Sequence, residues 1–411
     1  MQFEYLHPRD MLAMTMSRIY SHRLTTTCGG NLSMLDEAGD MWITPAGVDK
    51  GSLTPRDIVR VRADGTAEGR WAPSSEYPLH RAVYDARPDL RALLHAHPMS
   101  LVAFSLAGKV PETRVLPQAW RWNGHVAFAP WAPSGSADLG GIVGSKFAAG
   151  ANSAILQNHG AVCGGADLQE AFARFDTLEM AARAELRARL VGIPKAIGAE
   201  DLELVASHGM ARYGELPVSR GGGSLQEREA RETICECVQR CLRQRLFLPS
   251  VGSMSVRTGP DSFVVTPHSK DRASLRPDDL VLVRGAFAES GKVPSSLARL
   301  HDATYLSHPE VNAIIGAAPL NVLAFSICRK PIDVRRLPDA FAHLGTVMSV
   351  SFSSAYRNPA AAIAKLSLQD PVLQVDNHGA VVVGADLLGA YNALEVLENA
   401  ADAFVGAAPL R

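Results

Sequence analysis

Apolar positions along this chain follow two rhythms, which change over at clusters of Gly, Pro, Asn and Ser. Short apolar runs at Met41–Thr44, Ile58–Arg62, Ala92–His97 and Ser153–Gln157 predict strands. The stretch Ser75–Ala86, opened by a serine, and the Ala-rich Leu168–Leu190 predict helices. Mixing of this kind implies an α/β fold with a central β-sheet flanked by helices; the order of strands does not follow from the pattern.

The whole pattern occurs twice. Trp71–Lys109, WAPSSEYPLHRAVYDARPDLRALLHAHPMSLVAFSLAGK, lines up without a gap on Lys292–Lys330, KVPSSLARLHDATYLSHPEVNAIIGAAPLNVLAFSICRK. Upstream, WITPAGVDKGSLTPRDIVRVR pairs with FVVTPHSKDRASLRPDDLVLVR; downstream, ILQNHGAVCGGADLQEAFARFDTLE pairs with LQVDNHGAVVVGADLLGAYNALEVLE. A period of about 220 residues is too long for a solenoid unit and reads as a duplicated domain. The expected organisation is a first domain over 1–192, a connector over 193–222 with two prolines, glycines and room for one short helix, and a second domain over 223–411.

Composition agrees with two ordinary cores: 411 residues exceed what one core usually organises. Lys+Arg 41 against Asp+Glu 42 leaves a net charge of −1, so no global field favours nucleic acid or an anionic membrane. No run of 18 apolar residues and no basic-then-apolar start is present, from which a soluble cytoplasmic protein is expected. Six cysteines give no disulfide framework, and Cys235, Cys237 and Cys241 on a helix-like run do not converge on one face, which favours packing over metal binding.

The chemistry-bearing residues fall in the first copy. His95 and His97 flank one residue of an apolar strand, so both imidazoles lie on one face. The bland alternative is a pair of buried, hydrogen-bonded histidines; against it, the matching residues of the second copy are Gly316 and Ala318. Glu76, after Ser74-Ser75, could merely complement a helix N-terminus. Its counterpart is Leu297, so the carboxylate and both histidines vanish together. His159, at a strand-ending Gly turn, offers a third imidazole, although His378 persists opposite it and allows a structural role. Three nitrogens and a carboxylate suit Zn²⁺ first, with Mn²⁺, Co²⁺ or Fe²⁺ as alternatives. Gly-rich and hydroxyl-bearing turns around Asn31, Gly47, Ser74 and Ser75 could cradle a phosphate or carboxylate, each turn alone being a weak signal.

Five motifs in order, GGNLS, TPAG, PSSE, HAHP and QNHG, resemble the class II aldolase/adducin family across the first copy and, degenerately, the second. The resemblance implies two tandem αβα domains, a divalent metal on His95, His97 and His159, Glu76 as metal neighbour and acid/base, and Asn31, Gly47, Ser74 and Ser75 on the substrate's anionic group. It also implies a ring-like assembly, which for a duplicated chain becomes a homodimer forming a pseudo-tetrameric ring. Two departures stand out. RVLPQAWRWNGHVAF lacks the tyrosine that family aldolases use as proton donor, leaving His125 or a group of the second copy, and Ala46 replaces a hydroxyl residue of the anion loop.

The implied function is a metal-dependent carbon–carbon lyase acting on a small hydroxy-carbonyl substrate with an anionic group, by retro-aldol cleavage or decarboxylation through a metal-stabilised enediolate. The alternatives are an epimerase, dehydratase or Fe²⁺ oxygenase on the same fold, and a non-catalytic adducin-like scaffold.

Overall fold

The computed structural model describes residues 6–208, 213–216, 223–268 and 270–410. Parts of the expected connector, 209–212 and 217–222, therefore lie outside the described residues. The chain divides into two compact units, 1–113 with 118–183 and 114–117 with 184–411.

The first unit begins with α1 (Pro8–Ser21), followed by strands β1 (Asn31–Leu35), β2 (Met41–Ile43), β3 (Val59–Val61) and β4 (Ala67–Glu68). Then come α2 (Tyr77–Ala86), β5 (Ala92–Ala96), α3 (Met99–Leu106), α4 (Pro117–Asn123), β6 (Ala127–Ala129), α5 (Ala137–Ala148), β7 (Ser153–Leu156), β8 (Gly160–Gly165) and α6 (Leu168–Val191). The sheet runs β4-β3-β2-β1-β5-β8-β7-β6. Alternation along β5 sorts the cores: Ala92, Leu94 and Ala96 join α1, α3 and α6 on one face, while Leu93 joins α2 and α5 on the other. The result is the three-layer αβα arrangement expected from the sequence.

The second unit repeats this plan. Its strands are β9 (Gly214–Leu216), β10 (Ser253–Gly259), β11 (Ser262–Val265), β12 (Val281–Arg284), β13 (Phe287–Glu289), β14 (Ala313–Ala317), β15 (Met348–Val350), β16 (Val372–Val375) and β17 (Gly379–Gly384). Its helices are α7 (Ala199–His208), α8 (Leu225–Arg243), α9 (Ala298–Ser307), α10 (Leu320–Cys328), α11 (Pro338–Leu344), α12 (Phe352–Arg357), α13 (Pro359–Ile363) and α14 (Leu387–Ala407). Its sheet order, β15-β16-β17-β14-β10-β11-β12-β13-β9, is that of the first unit with one edge strand added. Register carries the repeat to single residues: Asn31 faces His95 in the first sheet, and Ser253 faces Gly316 in the second.

The helix expected over Ser75–Ala86 starts at Tyr77, with Glu76 as its N-cap and a proline in its first turn. Pro78 lacks an N–H and suits that turn, so Ser74 and Ser75 are left in the preceding turn. Among the described residues no helix is long and apolar enough to cross a membrane. The six cysteines are free, and on α8 Cys241 lies in the apolar core with Cys235 and Cys237 packed against it.

Candidate metal centre

The five motifs meet at one end of the first sheet. The Thr44–Gly47 turn and the Pro73–Ser74 segment are tied together, Ser74 N–H donating to the Thr44 carbonyl (3.1 Å) and Ala46 N–H to the Ala72 carbonyl (3.1 Å). This pairing delivers Glu76 to the start of α2. Period two along β5 puts His95 on the α2 side, and His97 follows just past the strand's end. His159 projects from the β7–β8 turn, where Asn158 takes a left-handed conformation (φ 58°). Asn tolerates that conformation better than other side chains, which explains the Asn-His-Gly order.

The donor atoms converge. One ligand atom from each of Glu76, His95, His97 and His159 lies within 4.8 Å of all the others. His95 Nε2 is 3.0 Å from Glu76 Oε2 and 2.8 Å from His97 Nε2, and His159 Nε2 is 3.3 Å from Glu76 Oε1. Donors on a tetrahedral shell at usual Zn–N and Zn–O lengths would be roughly 3.4 Å apart. His95 Nδ1 meets the Ala161 carbonyl at 2.9 Å and must donate to it, which turns Nε2 toward the cluster, where its lone pair faces a cation once the ring's second proton is lost. The His97 ring occupies a slot between two glycines. A Cβ on Gly29 would lie 2.9 Å from its Nδ1, and one on Gly160 would lie 2.6 Å from its Cδ2.

Electrostatics fit a cation. Burial raises the pKa of Glu76, but the field of His95 and hydrogen bonds from His95, Ser134 and Asn31 outweigh it and hold the carboxyl well below the usual range. Burial and the charge of His95 push His97 down to about 3 and His159 down to about 4. For His95 burial also opposes the charge, but Glu76 raises its pKa on balance. Two imidazoles thus offer lone pairs at neutral pH without competition from protons, beside a fixed negative charge.

Behind the carboxylate runs a hydrogen-bonded chain that the motifs do not announce. Positions 76, 80 and 84 are each one helical turn apart, about 6 Å, and positions 31 and 33 of β1 are about 6.8 Å apart, so the two rows stay in step. Asn31 Nδ2 donates to Glu76 Oε2 (2.7 Å), and its Oδ1 accepts from His80 Nε2. Ser33 Oγ lies 2.6 Å from His80 Nδ1 and 2.7 Å from Tyr84 Oη. Once His80 donates through Nε2, its Nδ1 must accept from Ser33, and the direction of every bond is set. The repeat held the clue, since His301, Tyr305 and Ser255 match His80, Tyr84 and Ser33. Lys50 is a second residue that no motif marks; its buried ammonium donates to the Pro45 carbonyl (2.6 Å), as Arg272 does to Pro267 (2.9 Å).

The expected anion contacts are placed unevenly. Ser74 is buried and its Oγ accepts from Glu76 N–H (3.3 Å), Ser75 is exposed, and Gly47 is an exposed turn residue with φ +67°. Asn31 is buried with one N–H committed to Glu76, leaving the amide's second N–H to offer. His125 packs its ring edge-on against Trp120 at 5.1 Å.

The profile of the Class II Aldolase and Adducin N-terminal domain matches residues 10–186 and again 232–405. The chain belongs to the class II aldolase and adducin family. Family members similar to it include the 5-deoxy-D-ribulose 1-phosphate aldolase of Bacillus thuringiensis serovar kurstaki, 28% identical over 206 residues, or 48% of this chain and 93% of that one. The L-fuculose phosphate aldolase of Methanococcus maripaludis strain S2 is 32% identical over 166 residues, 40% of this chain and 88% of its own. The 3-oxo-tetronate 4-phosphate decarboxylase of Escherichia coli K12 is 29% identical over 179 residues, 43% and 84%. A solved L-fuculose 1-phosphate aldolase is similar at 29% identity and a TM-score of 0.44, covering 49% of this chain and 94% of that one.

Among the described residues the second family domain has no such donor set. At the place of Glu76 and His95, the Leu297 side chain reaches over Gly316, where a Cβ would meet its Cδ1 at 2.4 Å. One larger apolar residue and one smaller one together fill the space. The inner chain survives: Ser255 Oγ lies 2.7 Å from His301 Nδ1 and 2.8 Å from Tyr305 Oη. His378 is buried, 3.4 Å from the Tyr356 hydroxyl through Nδ1, and burial holds it down to about 4.

Proposed function

We propose that the first family domain is a divalent-metal-dependent lyase that cleaves a small, phosphorylated hydroxy-carbonyl compound by retro-aldol cleavage or decarboxylation. The observation that carries this reading is the inward convergence of three imidazole nitrogens and one carboxylate in one copy, against Leu297 and Gly316 in the other. His95, His97 and His159, with Glu76 beside them, would hold the metal, Zn²⁺ first. When bound, it supplies Lewis acidity to the substrate's carbonyl oxygen.

The rest falls to the chain's own side chains. In retro-aldol cleavage Glu76, ionised and oriented by Asn31, takes the proton of the substrate hydroxyl as the carbon–carbon bond breaks and returns it to the carbon left behind; in decarboxylation the carboxylate leaves as CO₂ and the carbon takes its proton from solvent. Backbone N–H groups around Gly47 and Ser75, the Ser74 and Ser75 hydroxyls and the free N–H of Asn31 hold the anionic group. A phosphate is favoured over a carboxylate by the activities of the three relatives, all of which concern phosphorylated compounds. We place the domain limits at 1–192 and 223–411, and the working form as a homodimer.

The test is incubation of the metal-loaded chain with L-fuculose 1-phosphate, 5-deoxyribulose 1-phosphate and 3-oxo-tetronate 4-phosphate, assaying for two carbonyl fragments or CO₂. Cleavage of one of them that is lost with EDTA and with Glu76→Gln is expected. Intact compounds throughout would remove the lyase reading.

A further inference from the structure

We propose that Ser134 is a positioning residue for Glu76, setting the plane of the carboxylate so that its inner lone pairs face the histidine cluster. This rests on the reading of Glu76 and the three histidines as a metal-and-base centre. Ser134 lies in an irregular loop, Pro130–Ser136, with no periodicity to mark it, yet the loop is fastened on every side. Trp131 N–H donates to Gln157 Oε1 at 3.0 Å, two residues before His159. Ser136 caps α5, its Oγ accepting from Leu139 N–H. Gly135 has φ +74°, and a Cβ on it would come 2.8 Å from the Ser75 carbonyl oxygen, so only glycine lets the loop lie this close to the residue before Glu76.

The helices behind the loop are equally close. A Cβ on Gly140 would meet the Pro78 carbonyl at 2.9 Å, and one on Gly144 would meet the Ala82 carbonyl at 3.1 Å. Small residues thus let α5 press its backbone onto α2, whose N-cap is Glu76 itself. Ser134 and Glu76 are therefore carried by one tightly packed helix pair.

The outcome is a hydrogen bond of 2.7 Å from Ser134 Oγ to Glu76 Oε1, opposite the bond of 2.7 Å from Asn31 to Oε2. The ionised carboxylate only accepts, so both partners donate. Each oxygen keeps a second lone pair, and these face His159 and His95. Held by Asn31 alone, the carboxylate could pivot about Oε2. Ser134 is exposed, and without its hydroxyl the buried Glu76 keeps His159 Nε2 at 3.3 Å on Oε1 and Asn31 on Oε2, so the carboxylate is not left bare. The effect of losing the hydroxyl should fall on orientation rather than on folding.

The experiment loads the full chain with Co²⁺ and compares wild type with Ser134→Ala, Ser134→Thr and Gly135→Ala. Affinity is read by competition with a chromophoric chelator, geometry by the visible Co²⁺ spectrum, and folding by melting in EDTA. Ser134→Ala is expected to bind Co²⁺ roughly tenfold more weakly, with a changed spectrum and an unchanged melt. Ser134→Thr should restore both signals, and Gly135→Ala should resemble Ser134→Ala because it lifts the loop. With a cleaved phosphate in hand, kcat should fall in Ser134→Ala while KM holds. Wild-type affinity and spectrum in Ser134→Ala, or no rescue by threonine, would overturn the proposal. A wild type that binds Co²⁺ but cleaves nothing overturns the lyase reading alone, whereas one that binds no Co²⁺ overturns both.

Discussion

Gly160→Ala tests how the site is built without touching any ligand. A Cβ at this position would lie 2.6 Å from the Ala96 carbonyl oxygen and 2.6 Å from His97 Cδ2, where ordinary contacts begin near 3.4 Å. The first obstacle is backbone in a paired strand, Ala96 facing Ala161, and it cannot rotate aside. The second is a ring already closed in by Gly29. Relief therefore needs a movement of several tenths of an ångström in strand, ring or both. Overpacking of a dense interior costs about 1–3 kcal/mol, a fall of roughly 3–10 °C in Tm for a domain of this size. Metal sites tolerate misplacement of only about 0.5 Å, so Zn²⁺ affinity should drop roughly 10- to 100-fold. Gly164→Ala is the control, because its obstacles are the tips of Leu90, Leu93 and Phe147 side chains, which can give way. It should lose stability and keep its affinity. Chelator competition and melting in EDTA read the two effects separately. A destabilised Gly160→Ala with wild-type affinity would refute the idea that the glycine slot places His97.

Two further expectations follow from buried side chains. Leu297→Ala empties the space that Leu297 fills beside Gly316, and should cost about 2–5 kcal/mol by chemical denaturation while leaving metal content unchanged. Glu179, on α6, is buried and burial raises its pKa to about 7 from a usual value near 4.5, despite the field of Arg183 and hydrogen bonds from Ser100 and Leu101. The folded chain thus holds that proton more tightly than the unfolded one. Its contribution is present below about pH 4.5 and is lost as pH rises through 7, by about 3 kcal/mol. Glu179→Gln, which keeps an acceptor for Ser100 and Leu101, should flatten the stability difference between pH 5 and pH 8, and an equal slope in both proteins would refute it.

The strands at Met41–Ile43, Ala92–Ala96 and Ser153–Leu156 and the long α6 were legible because their period or length was unambiguous. The start of α2 was not, since Ser-Ser resembles a cap and the fixed φ of Pro78 decided the matter instead. The four clustered donors were suggested by contrast between the copies more than by their own spacing, because Glu76 and His159 are 83 residues apart in sequence (159 − 76). The same contrast, applied to what both copies keep, would have exposed the His80–Ser33–Tyr84 chain. Its persistence beside Leu297, where it joins α9 to β10, fits a role in tying the helix to the sheet whether or not a carboxylate is attached. Ser134 left no trace of that kind, since it belongs to a loop whose position is set by close glycine contacts and not by any repeating pattern.

The most direct measurement is Zn²⁺ per chain after loading and removal of free metal, made on wild type, on His95→Ala/His97→Ala and on His378→Ala. With four convergent donors in the first domain and none at Leu297 and Gly316, the account predicts one equivalent in wild type and in His378→Ala, and none in the double variant. Two equivalents in wild type, or metal retained by the double variant, would contradict it.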